Sequence, residues 1–142
     1  MEEKQAKFKW QRGRTLGKGS YGFVSLASDL ISSLIAVKSC MLNRSRSLQN
    51  EGKFLRIFED CPQIIRCFGF NVNYEDDLYL YNLLLEYASA GSLVDRIDEQ
   101  GLPEFQVQKY TKNVVLGLSL IHKKRDYSLR HKTPKHSSYY RW

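Results

Sequence analysis

Apolar and polar positions along the first ninety residues predict strands, then one helix, then two more strands. Trp10 to Leu16 reads as a first strand, the glycines of Gly17–Gly22 as its turn, and Phe23 to Ser28 as a returning strand. Ser33 to Cys40 is a near-continuous apolar run that suits a buried third strand. Asn43 to Asp60 has helical period, with Leu48, Glu51, Leu55 and Phe58 on one face, so a carboxylate stands in an otherwise apolar stripe. Ile64 to Val72 and Leu78 to Tyr87 read as strands four and five, joined by a polar turn at Asn73–Asp77. Ala88–Ser92 is a small-residue linker, followed by a short helix (Leu93 to Glu99) and a break at Gly101-Leu102-Pro103. A longer helix from Glu104 to about Lys123 is expected to bury Val107, Tyr110, Val114, Leu118 and Ile121. No internal repeat is visible, and the apolar pattern stops beyond Arg125.

Composition narrows the class. With 142 residues, 42% of them hydrophobic and 13% aromatic, the chain is one modest domain or a piece of a larger one, with material for a packed core. No apolar run is long enough to span a membrane, and the start, Met1-Glu2-Glu3-Lys4, is not a secretory signal. Cys40, Cys61 and Cys67 are odd in number and match no metal spacing, which reads as reduced thiols in a cytoplasmic or nuclear protein. The net charge of +7 suggests nucleic acid at first sight, but its distribution argues otherwise. From residue 122 onward seven cations and one anion give +6, leaving +1 for residues 1–121. The basicity belongs to the tail.

Two segments carry chemistry. Leu16-Gly17-Lys18-Gly19-Ser20-Tyr21-Gly22 contains G-x-G-x-x-G, a spacing that also opens dinucleotide-binding folds or simply serves a tight hairpin. In a dinucleotide fold the glycines lead into a helix. Here they lead into Phe23-Val24-Ser25-Leu26-Ala27-Ser28, whose aromatic and β-branched residues favour a strand, leaving a flap whose amides can close over phosphates. Lys38 ends the apolar run Ile35-Ala36-Val37, where an unpaired ammonium is costly to bury. Either its stem reaches water, or it pairs with Glu51, the carboxylate on the inward stripe of the next helix. The second option satisfies both ions and holds the ammonium where it can meet nucleotide phosphates.

Taken with Leu83-Leu84-Leu85-Glu86-Tyr87-Ala88-Ser89-Ala90-Gly91-Ser92-Leu93, these segments stand in the order and approximate spacing of a protein kinase domain, which residues 10–124 resemble. The phrasing of loop and linker is similar to plant MAP kinase kinase kinases. The resemblance implies an α+β fold: a five-stranded antiparallel sheet with one packed helix (about 10–87), a hinge, and the first two helices of a helical lobe (about 91–124). It also implies ATP as ligand, with Leu16, Val24 and Ala36 sandwiching the adenine and Leu85 as gatekeeper. The backbone of Glu86 and Ala88 would hydrogen-bond the base. Gly17, Lys18, Gly19, Ser20, Tyr21 and Gly22 would form the phosphate loop, with Lys38 and Glu51 as the positioning ion pair. The family reaction moves the γ-phosphoryl of ATP to serine or threonine of a protein, here one similar to a MAP kinase kinase.

The pattern then breaks. The family's His-Arg-Asp…Lys…Asn catalytic loop and Asp-Phe-Gly, which supply the base and the Mg2+ ligands, are missing from this sequence. Asp126 follows Arg125, but no histidine precedes the pair and no Lys-x-x-Asn follows. Catalytic and metal-binding residues are therefore expected to be absent from this chain. Residues 125–142 can nevertheless be encoded so that reading from the second base yields Glu-Ile-Ile-His-Cys-Asp-Ile-Lys-Pro-Gln-Asn-Ile-Leu-Leu, a kinase catalytic loop. The expectation is that this stretch is a frameshifted, disordered readout of that loop. Three readings follow: an active kinase with an incomplete sequence, a truncated non-catalytic nucleotide-binding protein, and, ranked last, a basic nucleic-acid-binding module.

Overall fold

The computed structural model describes residues 9–29, 31, 33–97 and 101–130, with the backbone alone for 125–130. Five strands form one antiparallel sheet: β1 (Trp10–Gly19), β2 (Gly22–Asp29), β3 (Leu34–Met41), β4 (Cys67–Glu75) and β5 (Leu78–Glu86), in the order β1-β2-β3-β5-β4. Between β3 and β4 lie a 3-10 turn (Leu42–Arg44) and helix α1 (Arg46–Ile57). This is the expected kinase-like sheet with its packed helix.

The register divides the sheet into two unlike faces, because residues directly opposite in an antiparallel pair share a face. Val24 lies opposite Lys38, and Ala36 opposite Leu85. With Cys40, Tyr81 and Leu83 they form the face that α1 covers with Leu48 and Leu55. Fully burying such a leucine contributes about 1.5–3 kcal/mol, so this layer holds α1 on the sheet. On the opposite face Ala27, Ile35, Val37 and Leu84 form a second apolar cluster flanked by Trp10. Beside it, Ser25, Ser39 and Asn82 are fully buried polar residues.

Gly52 lets α1 lie close against the Leu83 side chain. A Cβ there would stand 2.7 Å from Cδ1 of Leu83 on β5. A side chain at this position, next to Glu51, would force either the buried Leu83 side chain or the helix to move.

Several boundaries depart from the sequence reading. β1 runs on through Gly19, so the turn proper is Ser20–Tyr21 and two of the three glycines lie within the strand. Lys38 is interior to β3, not at its end. β4 begins at Cys67, not Ile64, and the β4–β5 turn is made by Asp76 and Asp77 at positive φ (50° and 62°). Carboxylate and amide side chains tolerate that left-handed conformation best among non-glycine residues. The expected helix from Leu93 is only a 3-10 turn, Val94–Arg96, and residues 98–100 lie outside the described ones.

A separate unit begins at Pro103. Its helix α2 spans Glu104–Arg130, continuing past Lys123, while 131–142 of the expected disordered tail lie outside the described residues. The expected burial along α2 is corrected: Val107, Val114 and Leu118 are 46%, 57% and 51% exposed, and Tyr110 and Ile121 are only half-buried. Helical period locates an apolar stripe but does not supply what covers it. Among the described residues no helix is long and apolar enough to cross a membrane.

Candidate functional site

The β1–β2 hairpin arches over a cleft of about 450 Å3. Its roof is Gly17 to Val24; its floor and back wall are Lys38, Ser39 and Cys40 of β3, Arg44 of the 3-10 turn, and Ser47, Leu48 and Glu51 of α1. Each strand or helix thus delivers a distinct function to one opening.

Lys38 Nζ donates to both carboxylate oxygens of Glu51, at 3.0 Å to Oε1 and 2.8 Å to Oε2. The pairing expected from sequence is present, but its burial is corrected. The two side chains are 42% and 37% exposed, so water screens the pair and its contribution to stability is small, about 0–1 kcal/mol. Its geometry, rather than its energy, is what matters for the cleft. A lysine pinned by two oxygens on a helix presents its remaining donor capacity in a defined direction.

The three glycines of the motif serve different needs. None adopts positive φ, so the hairpin does not use them for left-handed backbone. Gly22 is required by close approach, since a Cβ there would stand 2.2 Å from the Ser39 carbonyl oxygen of β3. At Gly17 a Cβ would meet nothing within 4 Å, and at Gly19 only the Gly22 carbonyl oxygen at 3.8 Å. Absent side chains at these two positions leave the peptide backbone open to a ligand. Tyr21 at the tip is 89% exposed.

Lys18, Lys38 and Arg44 against the single carboxylate of Glu51 give the lining a net charge of +2, which suits a polyanion. Arg44, Ser47 and Cys40 were not predicted from sequence; the 3-10 turn that brings Arg44 round has no strong periodic signal. Burial pushes the Cys40 thiol above its ordinary pKa, with Lys38 opposing, which favours the neutral thiol.

Of the residues implied for the base, Val24 lines this cleft, whereas Leu16, Ala36, Leu85, Glu86 and Ala88 are not among its lining residues. Ala36 and Leu85 are opposite one another and buried in the same apolar cluster, with Val24 packed against it. Leu16, Glu86 and Ala88 are exposed. The Glu86 amide donates to the Arg66 carbonyl (3.0 Å), and the Ala88 carbonyl accepts from the Gly91 amide (3.2 Å).

Sequence reasoning also missed a buried network on the far face. Arg12 of β1 forms an ion pair with Glu75 of β4 and hydrogen-bonds Ser25, Ser39 and Asn82. The available signal was Asn82, an amide in the apolar run Leu78–Leu85.

The sequence matches the protein kinase domain family over residues 10–132. It is 43% identical over 123 residues to mitogen-activated protein kinase kinase kinase 20 of Arabidopsis thaliana, covering 81% of this chain and 36% of that protein. Mitogen-activated protein kinase kinase kinase 17 of the same plant is 40% identical over 119 residues (81% and 32%), and kinase kinase kinase 4 of Mus musculus 30% over 120 (81% and 7%). The chain spans about a third of the length of the plant relatives it matches. With a glycine-rich hairpin above a lysine–glutamate pair, and with this match across most of its length, the chain belongs to the protein kinase domain family and is similar to plant MAP kinase kinase kinases.

Proposed function

We propose that the cleft binds ATP, as the nucleotide-holding half of a serine/threonine kinase whose protein substrate resembles a MAP kinase kinase. The observation that carries this reading is the Lys38–Glu51 pair beneath a hairpin whose glycine backbone is open to a ligand. In that arrangement Lys38 neutralises phosphate oxygens while Glu51 holds the ammonium still, and the amides near Gly17 and Gly19 donate to the same anion. Val24 offers apolar surface to the base from the cleft wall; the resemblance adds Ala36 and Leu85, buried beside it, Leu16 at the edge, and the Glu86 and Ala88 backbone as hydrogen-bonding partners. The site belongs in the cytoplasm or nucleus, where the three free thiols stay reduced.

Mg2+ finds no ligand set among the described residues. Among the described residues no group of three or more His, Cys, Asp or Glu could hold a metal ion, and the sequence lacks the catalytic-loop and Asp-Phe-Gly residues. No phosphoryl-transfer step is therefore assigned to these residues. Positioning a nucleotide without a base or a charge clamp stabilises little of the transition state, so the residues present here are read as holding a nucleotide without turning it over.

Titration of the chain with a non-hydrolysable ATP analogue, followed by thermal denaturation, tests the reading. A rise in melting temperature that Lys38→Met markedly reduces is expected. No shift at millimolar nucleotide would remove the cleft's assignment. A phosphotransfer assay with the same Lys38→Met control separates the two kinase readings: phosphate incorporation by the chain itself would overturn incompetence.

A further inference from the structure

β1 and β4 are the two edges of the sheet, separated by β2, β3 and β5. In a flat sheet the four intervening spacings would place them roughly 19 Å apart, beyond the combined reach of an arginine and a glutamate side chain. Yet Arg12 Nε of β1 lies 3.0 Å from Glu75 Oε1 of β4. The sheet is therefore curled about the guanidinium, which touches every strand.

Its donors are all used. Nε and Nη2 donate to Glu75, Nη2 also to Asn82 Oδ1 (3.0 Å), and Nη1 to the hydroxyls of Ser25 and Ser39 (both 3.1 Å). Ser39 in turn donates to Asn82, whose amide donates to Asn71 and Asn73 of β4. The rings of Trp10 and Phe23 each lie 5.1 Å from the Arg12 Cζ. Such a charge, 16% exposed and fully paired, has essentially one low-energy position.

The partners adjoin the cleft on the opposite face. Phe23 follows Gly22 and itself lines the cleft; Ser39 follows Lys38 and lines it too. β1, which carries Gly17 and Gly19, is an edge strand paired only with β2, and its register shifts twice between Arg12 and Gly17. A glycine-bearing edge with an irregular ladder has little of its own to fix its height over the cleft.

We propose that Arg12 is a positioning residue for the nucleotide cleft: clasped to Glu75 across the curled sheet, it sets the glycine hairpin through β1 and Phe23, and Lys38 through Ser39. The role in nucleotide binding rests on the ATP reading above; the role in holding the hairpin does not.

The test uses the full chain with Arg12→Met, Arg12→Lys and Glu75→Gln, and Ser39→Ala as a milder variant that removes one acceptor. Backbone amide exchange is compared between residues 15–24 and the β4–β5 hairpin, and the dissociation constant for a non-hydrolysable ATP analogue is measured. Exchange over 15–24 should rise about tenfold in Arg12→Met and Glu75→Gln, with a much smaller rise in β4–β5, and the dissociation constant should rise about tenfold. Arg12→Lys, which keeps charge without the planar fork, should restore only part of both effects. Should the harsher variants not fold, Ser39→Ala must move the same two readouts in the same direction. Exchange that rises equally over all five strands, or a hairpin and affinity unchanged in a folded variant, would overturn the proposal. A wild-type chain that binds no nucleotide defeats the ATP reading instead, and the exchange comparison alone then decides on Arg12.

Discussion

Lys38 and Glu51 meet through two contacts of 3.0 and 2.8 Å while both side chains remain more than a third exposed. An ion pair so placed orients a charge without contributing much to folding. It separates two properties that a buried pair would confound.

Lys38→Met should therefore leave stability within about 0.5 kcal/mol of the parent chain. Affinity for an ATP analogue should fall about tenfold or more, as expected for losing a charged partner to a phosphate. Chemical denaturation alongside calorimetric titration checks both halves. A loss of stability above 2 kcal/mol would mean that the pair is structural.

The glycines should divide by contact. Gly22→Ala forces a Cβ against the Ser39 carbonyl and should destabilise the chain by about 1–3 kcal/mol. Gly17→Ala meets open space, so stability should hold while nucleotide affinity drops. Equal melting temperatures for the two variants would contradict this division.

Gly52→Val should overpack the contact with Leu83 and, where that buried side chain has no room to turn, shift α1 and with it Glu51 relative to Lys38. The expected cost is about 1–3 kcal/mol from overpacking, together with weakened nucleotide binding. Denaturation midpoints, read with analogue affinity, test whether the two losses occur together.

Acid should loosen the Arg12 clasp. The hydrogen bonds from Arg12 hold the Glu75 carboxyl below its ordinary pKa of 4.5, with desolvation opposing and the Arg12 charge and Asn73 assisting. A carboxyl whose folded pKa is depressed binds protons more readily when unfolded. Its contribution is thus full above the ordinary carboxylate range and is lost as pH falls through the lowered folded value. Denaturation curves from pH 6 downward should show a steeper acid loss in the parent chain than in Glu75→Gln. Parallel curves would exclude Glu75 as a source of the slope.

The tail yields a prediction at the level of the message. Sequencing the transcript across codon 124 should show codons for 125–142 whose shifted frame spells a catalytic loop. An unambiguous in-frame series without that hidden loop would end the frameshift proposal.

Much of this protein was legible in one dimension because β3 and β5 are near-continuous apolar runs buried on both faces, while α1 turns one apolar stripe to the sheet. Period alone placed Leu48, Glu51 and Leu55 on one side of α1, and a helical carboxylate after a strand-borne lysine foretold their pairing. The family's motifs, short, local and ordered, named Gly17 to Gly22, Val24, Lys38 and Glu51, which line the cleft, and also Leu16, Ala36, Leu85, Glu86 and Ala88, which do not. The 3-10 turn that turns Arg44 toward the cleft, and the reduced segment Val94–Arg96, have no period to read.

What the linear order alone determined was which residues each element would offer: three glycines in a hairpin, a lysine on β3, a glutamate on α1. Only the tertiary structure decided that this ion pair stays half in water, that Gly22 is a matter of clearance, and that an arginine on one sheet edge grips a glutamate on the other. Solvent access, steric approach and the curl of a sheet depend on groups far apart along the chain, and no local pattern records them. Arg12 and Glu75 are 63 positions apart; nothing but the folded sheet brings them together.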